Sequence, residues 1–212
     1  MDYSAIVLCA GSGKRTGLGY NKMFFKKNHW TVYEKTMQVF LRDPQCRQVV
    51  VVCKKEEQRA FEALVSDHRI TYVQGGEERQ DSVFAGLKAV SEEYVLIHDG
   101  ARPYLKQEAI DRLLACLEVH DACLLMVPAK DTIKRVINGQ VIETLKREEL
   151  MQAQTPQAFK TALILQAYQK ALDAHLLATD DASMAELQGI DVYVVEGDYD
   201  NIKITTREDL NG

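Results

Sequence analysis

Apolar residues fall along this chain in two alternating rhythms. Short continuous runs rich in Val, Ile and Leu occupy Ala5–Cys9, Gln48–Cys53, Thr71–Gln74, Tyr94–His98, Ala122–Val127 and Val192–Glu196. Runs of that length and composition predict parallel strands buried on both faces. Between them, Thr31–Arg42, Lys55–Val65, Asp81–Val90, Gln107–His120 and Thr161–His175 carry apolar residues at helical spacing. Thr31–Arg42 is the clearest, with Val32, Tyr33, Thr36, Met37, Val39, Phe40 and Leu41 gathered towards one side. Alternating strand and helix predicts an α/β fold with an open, mostly parallel sheet flanked by helices, which binds ligands at the carboxyl ends of its strands. No repeat, low-complexity tract or linker interrupts the pattern, so residues 1–212 are expected to form a single domain.

One segment breaks the alternation. Between Asp131 and Glu143, two β-rich runs flank Asn138-Gly139, the strongest short-range hairpin signal. A lone two-stranded hairpin is only marginally stable in water. The face made by Ile133, Val136, Ile137, Val141 and Ile142 therefore needs a partner. A second copy of the chain is the simplest one, which would make 129–152 a protruding arm; folding back on its own domain is the other.

Composition narrows the function classes. The 212 residues are 46% apolar and 27% charged with a net charge of −5, ordinary for a globular protein and unlike a general nucleic-acid binder. No run approaches a membrane span and the N-terminus lacks a signal-peptide pattern. The five cysteines are odd in number and not at metal-ligand spacing. They read as small buried hydrophobes in a reducing cytoplasm.

The first predicted strand runs into Leu8-Cys9-Ala10-Gly11-Ser12-Gly13-Lys14-Arg15-Thr16-Gly17-Leu18-Gly19-Tyr20-Asn21-Lys22. Gly11, Gly13, Gly17 and Gly19 can take positive φ and bring backbone N–H groups close to phosphate oxygens. Lys14, Arg15 and Lys22 supply countercharge. Neither standard phosphate motif fits: no window has Gly, four residues and Gly-Lys-Ser/Thr, and the dinucleotide fingerprint fails at Thr16, where its last glycine should stand. Glu34 lies at the distance of a ribose-binding acid, yet the crowding of cations is unlike a dinucleotide loop.

Other polar signals sit at other strand ends. Gly75-Gly76-Glu77-Glu78-Arg79-Gln80-Asp81-Ser82 lets backbone touch a ligand, and Asp81 or Ser82 could cap the next helix. His98-Asp99-Gly100-Ala101-Arg102-Pro103 places an aspartate where it suits Mg²⁺ or a substrate hydroxyl. Arg102 offers a two-pronged phosphate fork; alternatively Asp99 caps a helix with Arg102 as its surface ion pair. Thr179-Asp180-Asp181-Ala182-Ser183 reads as a helix start. Lys203, between Ile202 and Ile204, fits the solvent side of an alternating strand.

Taken in order, these motifs resemble the 2-C-methyl-D-erythritol 4-phosphate cytidylyltransferase family along almost the whole chain. Asp131-Thr132-Ile133-Lys134-Arg135, Gln154-Thr155-Pro156-Gln157-x-Phe159 and Asn201-Ile202-Lys203-Ile204-Thr205-Thr206 join the segments above in carrying the resemblance. The related ribitol 5-phosphate cytidylyltransferases share much of the pattern, and Ala101 favours the methylerythritol enzymes. A silent nucleotide-binding regulator is the reading from another class; retention of the loop cations and Asp99 argues against it.

The resemblance implies a Rossmann-like nucleotidyltransferase sheet with the hairpin as dimerisation arm. It implies CTP as substrate, Mg²⁺ held mainly by the CTP phosphates with Asp99 as the protein ligand, and a homodimer that needs neither nucleic acid nor membrane. Arg15, Lys22 and Lys203 would be catalytic. Cys9, Ala10, Gly11, Ser12, Gly13, Lys14, Gly75, Gly76, Glu77, Arg79 and Ser82 would bind CTP. Asp99, Arg102, Thr132, Thr155 and Thr179 would bind the polyol phosphate, with Arg147 reaching the neighbouring subunit's site. Three positions depart from the commoner family pattern: Cys9 for alanine, Thr16 for methionine, and Asn21 for the proline before the lysine.

Overall fold

The computed structural model describes residues 1–11 and 16–211. Strands β1 (Tyr3–Leu8), β4 (Cys46–Cys53), β5 (Ile70–Gln74), β6 (Tyr94–Asp99), β7 (Ala122–Pro128), β10 (Met151–Lys160) and β11 (Tyr193–Glu196) form a seven-stranded sheet in the order β11-β7-β10-β6-β1-β4-β5. All neighbouring pairs are parallel except those of β10, which runs antiparallel to both β6 and β7. The mostly parallel α/β sheet expected from the apolar runs is therefore present.

Alternation along the strands builds two cores. Ala5, Val7, Val49 and Val51 face one side, where α1 (Val32–Arg42), α2 (Gln58–Leu64) and α4 (Gln107–Leu117) supply Tyr33, Phe40, Phe61 and Leu113. Ile6, Val50 and Val52 face the other, where α3 (Arg79–Leu87), α5 (Thr161–Asp173) and α6 (Asp181–Glu186) supply Val83, Leu87, Tyr168 and Met184. Successive side chains point to opposite faces of a strand, so a continuous apolar run fills both cores. Each such side chain taken from water contributes about 1.5–3 kcal/mol. No helix among the described residues is long and apolar enough to cross a membrane.

Strand β10 was not anticipated. It contains Gln152, Gln154, Gln157 and Pro156, residues that argue against a central strand. The structure accommodates them in two ways. The β7–β10 register shifts between Ala153 and Gln157, and β10 pairs with β6 only from Gln157 onwards, so Pro156, which has no N–H to give, sits where neither ladder needs one. The glutamines serve as brackets: Gln157 donates to Asp180 Oδ2 and accepts from the Ala182 N–H, while Gln154 donates to Asp198 O. They tie α6 and the 198–205 loop to the sheet.

Local chemistry sets several boundaries. Thr31 and Glu34 form a reciprocal capping box on α1, Thr31 Oγ1 accepting from the Glu34 N–H while Glu34 Oε2 accepts from the Thr31 N–H. Glu34 is thus occupied as a cap and not as a ribose partner. The helix expected from Asp81 begins at Arg79, with Glu78 at its N-cap and Asp81 as the capping-box partner, so Ser82 is not the cap. The helix expected from Lys55 opens as a 3₁₀ turn at Lys55–Glu57 before α2.

The hairpin forms as expected. β8 (Lys134–Ile137) and β9 (Gln140–Thr144) pair across Asn138 and Gly139, both at positive φ (49° and 80°), and every residue of both strands is exposed. Its ladder is a separate two-stranded sheet. A second small ladder, β2 (Lys26–Lys27) with β3 (Trp30–Thr31), leads into α1.

Candidate active site

Four parallel strands, β6, β1, β4 and β5, end side by side, and their ladders continue into the loops: Cys9 N donates to Val52 O, Gly75 N to Cys53 O and Gly100 N to Leu8 O, at 2.7–3.0 Å. Beyond these ends opens a cleft of about 250 Å³, bounded by Cys9–Gly11, Lys22, Gly76–Arg79, Ser82, Asp99, Ala101 and Lys203. Two glycines allow the walls to come this close. A Cβ on Gly75 would stand 2.8 Å from Ala10 Cβ and 2.9 Å from Ser82 Oγ, and one on Gly100 would stand 2.8 Å from Leu8 O. Ser82 Oγ accepts from the Gly76 N–H at 3.1 Å, holding the turn against α3.

The lysine wall is built by Asn21. Its side chain accepts from Met23 N and donates from Nδ2 to Cys9 O and Glu57 Oε2, both at 2.8 Å, fastening the 3₁₀ turn Lys22–Phe24 to the end of β1. Lys22 Nζ donates to Ile204 O at 2.7 Å, and Ile204 N donates to Ala101 O at 2.9 Å. The loop carrying Lys203 is thereby closed onto both Lys22 and β6. Lys203 is not in a strand: residues 201–205 form a loop, and Lys203 turns inward to Asp99 Oδ2 at 2.7 Å. That overturns the expectation of a solvent-facing lysine.

Asp99 is the electrostatic centre. Arg79 Nε lies 3.9 Å from Oδ1 and Arg102 Nε 3.8 Å from Oδ2, too far for hydrogen bonds but close enough for charge to act. Burial pushes the Asp99 carboxyl up, yet Lys203, Arg79 and Arg102 outweigh it and hold it at about 2. Asp99 ends β6 and caps no helix, and its pairing with Arg102 is mostly buried rather than a surface contact. Arg102 Nη1 donates to Asn201 O at 2.6 Å, while its buried Nε finds no hydrogen-bond partner among the described residues. Burial lowers the affinity of that guanidinium for its proton, and Asp99 counters it.

Behind the carboxylate runs a hydrogen-bond chain of fixed direction. Asp99 N donates to Thr155 Oγ1 at 3.0 Å, Thr155 Oγ1 stands 3.1 Å from His98 Nδ1, and His98 Nε2 stands 3.1 Å from Arg102 O. A carbonyl can only accept, so Nε2 carries the hydrogen and Nδ1 accepts from the Thr155 hydroxyl. Burial pushes the His98 imidazole down to about 4. Thr155 is buried and presents its hydroxyl to His98 rather than to the cleft.

The structure gathers Cys9, Ala10, Gly11, Lys22, Gly76, Glu77, Arg79, Ser82, Asp99 and Lys203 around one cleft, with Gly75, Arg102 and Thr155 directly behind it. Thr132 and Arg147 belong to the exposed arm region and do not line it; Arg147 Nη1 reaches Lys130 O at 3.3 Å. Thr179 is exposed beside Ser183, also away from the lining. Ser12, Gly13, Lys14 and Arg15 lie outside the described residues. Positive φ in the loop falls at Gly17 and Gly19 but not at Gly11. Asn21, which the sequence marks as the departure that shapes the turn before Lys22, builds that turn through its side-chain amide.

Among the described residues, no three His, Cys, Asp or Glu side chains meet as a metal cage, and one oxygen of Asp99 is held by Lys203. Asp99 thus offers the cleft a single carboxylate, inside a ring of three cations.

Known proteins match the chain along its length. The family model for 2-C-methyl-D-erythritol 4-phosphate cytidylyltransferase matches residues 3–212. Proteins of that name from Halalkalibacterium halodurans and Bacillus cytotoxicus are 47% and 44% identical, aligned over 99% and 98% of this chain and 94% of theirs. The 4-diphosphocytidyl-2C-methyl-D-erythritol synthase structure from Anaerococcus prevotii superposes with a TM-score of 0.89 at 34% identity, covering 99% of this chain and 93% of that one. The Thermus thermophilus cytidylyltransferase gives 0.83 at 29% identity, covering 100% and 96%. The family match, the sequence identities and the superpositions all span nearly the whole chain, and the chain belongs to the 2-C-methyl-D-erythritol 4-phosphate cytidylyltransferase family.

Proposed function

We infer that the chain transfers the cytidylyl group of CTP to 2-C-methyl-D-erythritol 4-phosphate, releasing pyrophosphate, in the non-mevalonate route to isoprenoid precursors. The observation that carries this reading is the cleft itself: backbone-exposing loops on one side, Asp99 with Lys203 on the other, and Lys22 between them. A phosphate oxygen of the polyol attacks the α-phosphorus of CTP, a P–O bond forms there, and the bond to the β-phosphate oxygen breaks. The attacking phosphate is already ionised, so no strong base is required. The barrier lies in joining two anions and in stabilising charge on a five-coordinate phosphorus.

The chain's residues divide that work. Lys22 and Arg15 neutralise charge on the α-phosphate and the leaving pyrophosphate, and Lys203 acts beside them at the reacting phosphates. Gly11, Ser12, Gly13 and Lys14 wrap the triphosphate. Cys9, Ala10, Gly75, Gly76, Glu77 and Ser82 hold the nucleotide, whose cytosine and ribose meet a wall with no bulky side chain at Ala10, Gly75 or Gly76. Asp99, ionised over the whole physiological range, accepts polyol hydroxyls, with Arg102 beside it and Thr155 fixing its backbone from behind. Magnesium supplies charge neutralisation on the phosphates when bound. The exposed apolar arm supports a homodimer in which Arg147 reaches across to the partner's site. The unpaired buried thiols of Cys9, Cys46, Cys53 and Cys123 support a reducing, cytoplasmic setting.

Pyrophosphate release tests the assignment directly. CTP with 2-C-methyl-D-erythritol 4-phosphate should turn over, and ribitol 5-phosphate or ATP in its place should be far poorer. Turnover with ribitol 5-phosphate at an equal or higher rate would reassign the substrate.

A further inference from the structure

Asp181 is fully buried at the start of α6 and lines no part of the cleft. Its two oxygens accept from both terminal nitrogens of Arg79, Nη1 to Oδ1 at 2.9 Å and Nη2 to Oδ2 at 2.7 Å, and Tyr168 Oη donates to Oδ1 at 2.5 Å. Arg79 is the first residue of α3, does line the cleft, and turns its Nε edge to Asp99 at 3.9 Å. Burial works against the charge on the guanidinium, but Asp181 and then Asp99 outweigh it and hold Arg79 more firmly protonated than usual. A forked Arg–carboxylate pair fixes the plane of the guanidinium as well as its place. With one face of the fork spent on Asp181, Arg79 is not free to swing towards a triphosphate.

We infer that Asp181 is a positioning residue for the polyol half of the site: it aims Arg79 at Asp99, so that Asp99 keeps three cations around it and one orientation. Arg79 is then a positioning residue for Asp99 rather than a ligand of CTP. This deepens the function proposed above and rests on it. A buried ion pair is weak support for a fold, which is why the role is sought in what the pair holds. The network links α6 to α3 through Asp181 and Arg79, and α3 to β6 and the 201–205 loop through Asp99.

The test is a kinetic cycle on the full-length chain with Asp181→Asn, Arg79→Lys and the double variant. Each single variant should lower kcat/KM for 2-C-methyl-D-erythritol 4-phosphate about tenfold or more, while KM for CTP stays within about twofold, and the double variant should be no worse than the poorer single. Losses that multiply in the double variant, or a KM for CTP that rises in step, would overturn the inference. Should Asp181→Asn fail to fold, Tyr168→Phe removes one of the two hydrogen bonds to Asp181 Oδ1 and should shift the same substrate's KM by a smaller factor; equal shifts for both substrates would count against it. A crystal structure of Asp181→Asn gives a readout independent of turnover. Arg79 should have left Asp99, and an unmoved Arg79 sinks the inference. A wild-type chain inactive with every polyol phosphate would instead sink the function, and that crystal structure would still decide the placement of Arg79.

Discussion

The side-chain amide of Asn21 joins the end of β1 to the turn that delivers Lys22, donating from Nδ2 to Cys9 O at 2.8 Å while Oδ1 accepts the Met23 N–H at 3.1 Å. A proline at this place would stiffen the turn through its ring; here hydrogen bonds supply the rigidity. Asn21→Ala leaves Lys22 in place chemically but removes its anchor, so turnover should fall by about 1–3 kcal/mol of barrier, the cost of lost buried hydrogen bonds. Steady-state kinetics checks this: kcat should drop more than the affinity for CTP. An unchanged kcat would mean the turn is held by other contacts.

Removing the cation itself should cost more. By comparison with a lost oxyanion-hole donor, Lys22→Ala or Arg15→Ala should raise the barrier by about 2.7–4 kcal/mol. Circular dichroism and thermal unfolding should be close to wild type, because Lys22 sits at the cleft and not in either core. Near-wild-type turnover of Lys22→Ala would remove it from the catalytic set.

His98 makes stability depend on pH. Its imidazole is neutral in the fold and pushed down to about 4, against 6.5 in the unfolded chain. Between those values the unfolded state binds more protons, so stability is full above pH 6.5 and falls as pH drops towards 4. The shift corresponds to about 3 kcal/mol across that window. Asp99, depressed to about 2 from 3.8, adds a further loss below pH 4. Thermal midpoints from pH 7.5 to 4 should decline with the steepest part below 6.5, and His98→Asn should flatten that part. A wild-type midpoint unchanged from pH 6.5 to 4.5 would contradict the buried neutral tautomer.

These residues also show what sequence could and could not tell. Strands such as β4 were legible because Val49 to Val52 fill two cores at once, and an unbroken β-branched run suits a doubly buried strand far better than a helix. Strand β10 was not, because its glutamines and proline serve as brackets and as a bulge rather than as ladder or core. Lys203 looked solvent-facing because periodicity reports neighbours along the chain, whereas its orientation is set by Asp99, distant in sequence and nearest in charge. Asp181 read as a helix-start residue for the same reason: its partner, Arg79, lies 102 residues away.

The arm carries the remaining expectation. Val136, Ile137, Val141 and Ile142 are each about half exposed, at 46–56%, on a ladder that pairs only with itself. Placing a charge there should disfavour any interface that buries them, so Val136→Lys with Ile142→Lys should shift sedimentation towards monomer in a concentration-dependent way. If Arg147 serves the neighbouring site, activity should fall with dimerisation. Mixing protomers provides a sharper measurement. Lys22→Ala and Arg147→Ala are each defective alone, yet a mixed dimer holds one site with both defects and one with neither. After random reassortment at equal amounts, activity should recover to about a quarter of wild type, as a two-fold assembly with shared sites requires. No recovery from a mixture shown to contain mixed dimers would confine Arg147 to its own protomer, and a fully active monomer would remove the arm from the reaction altogether.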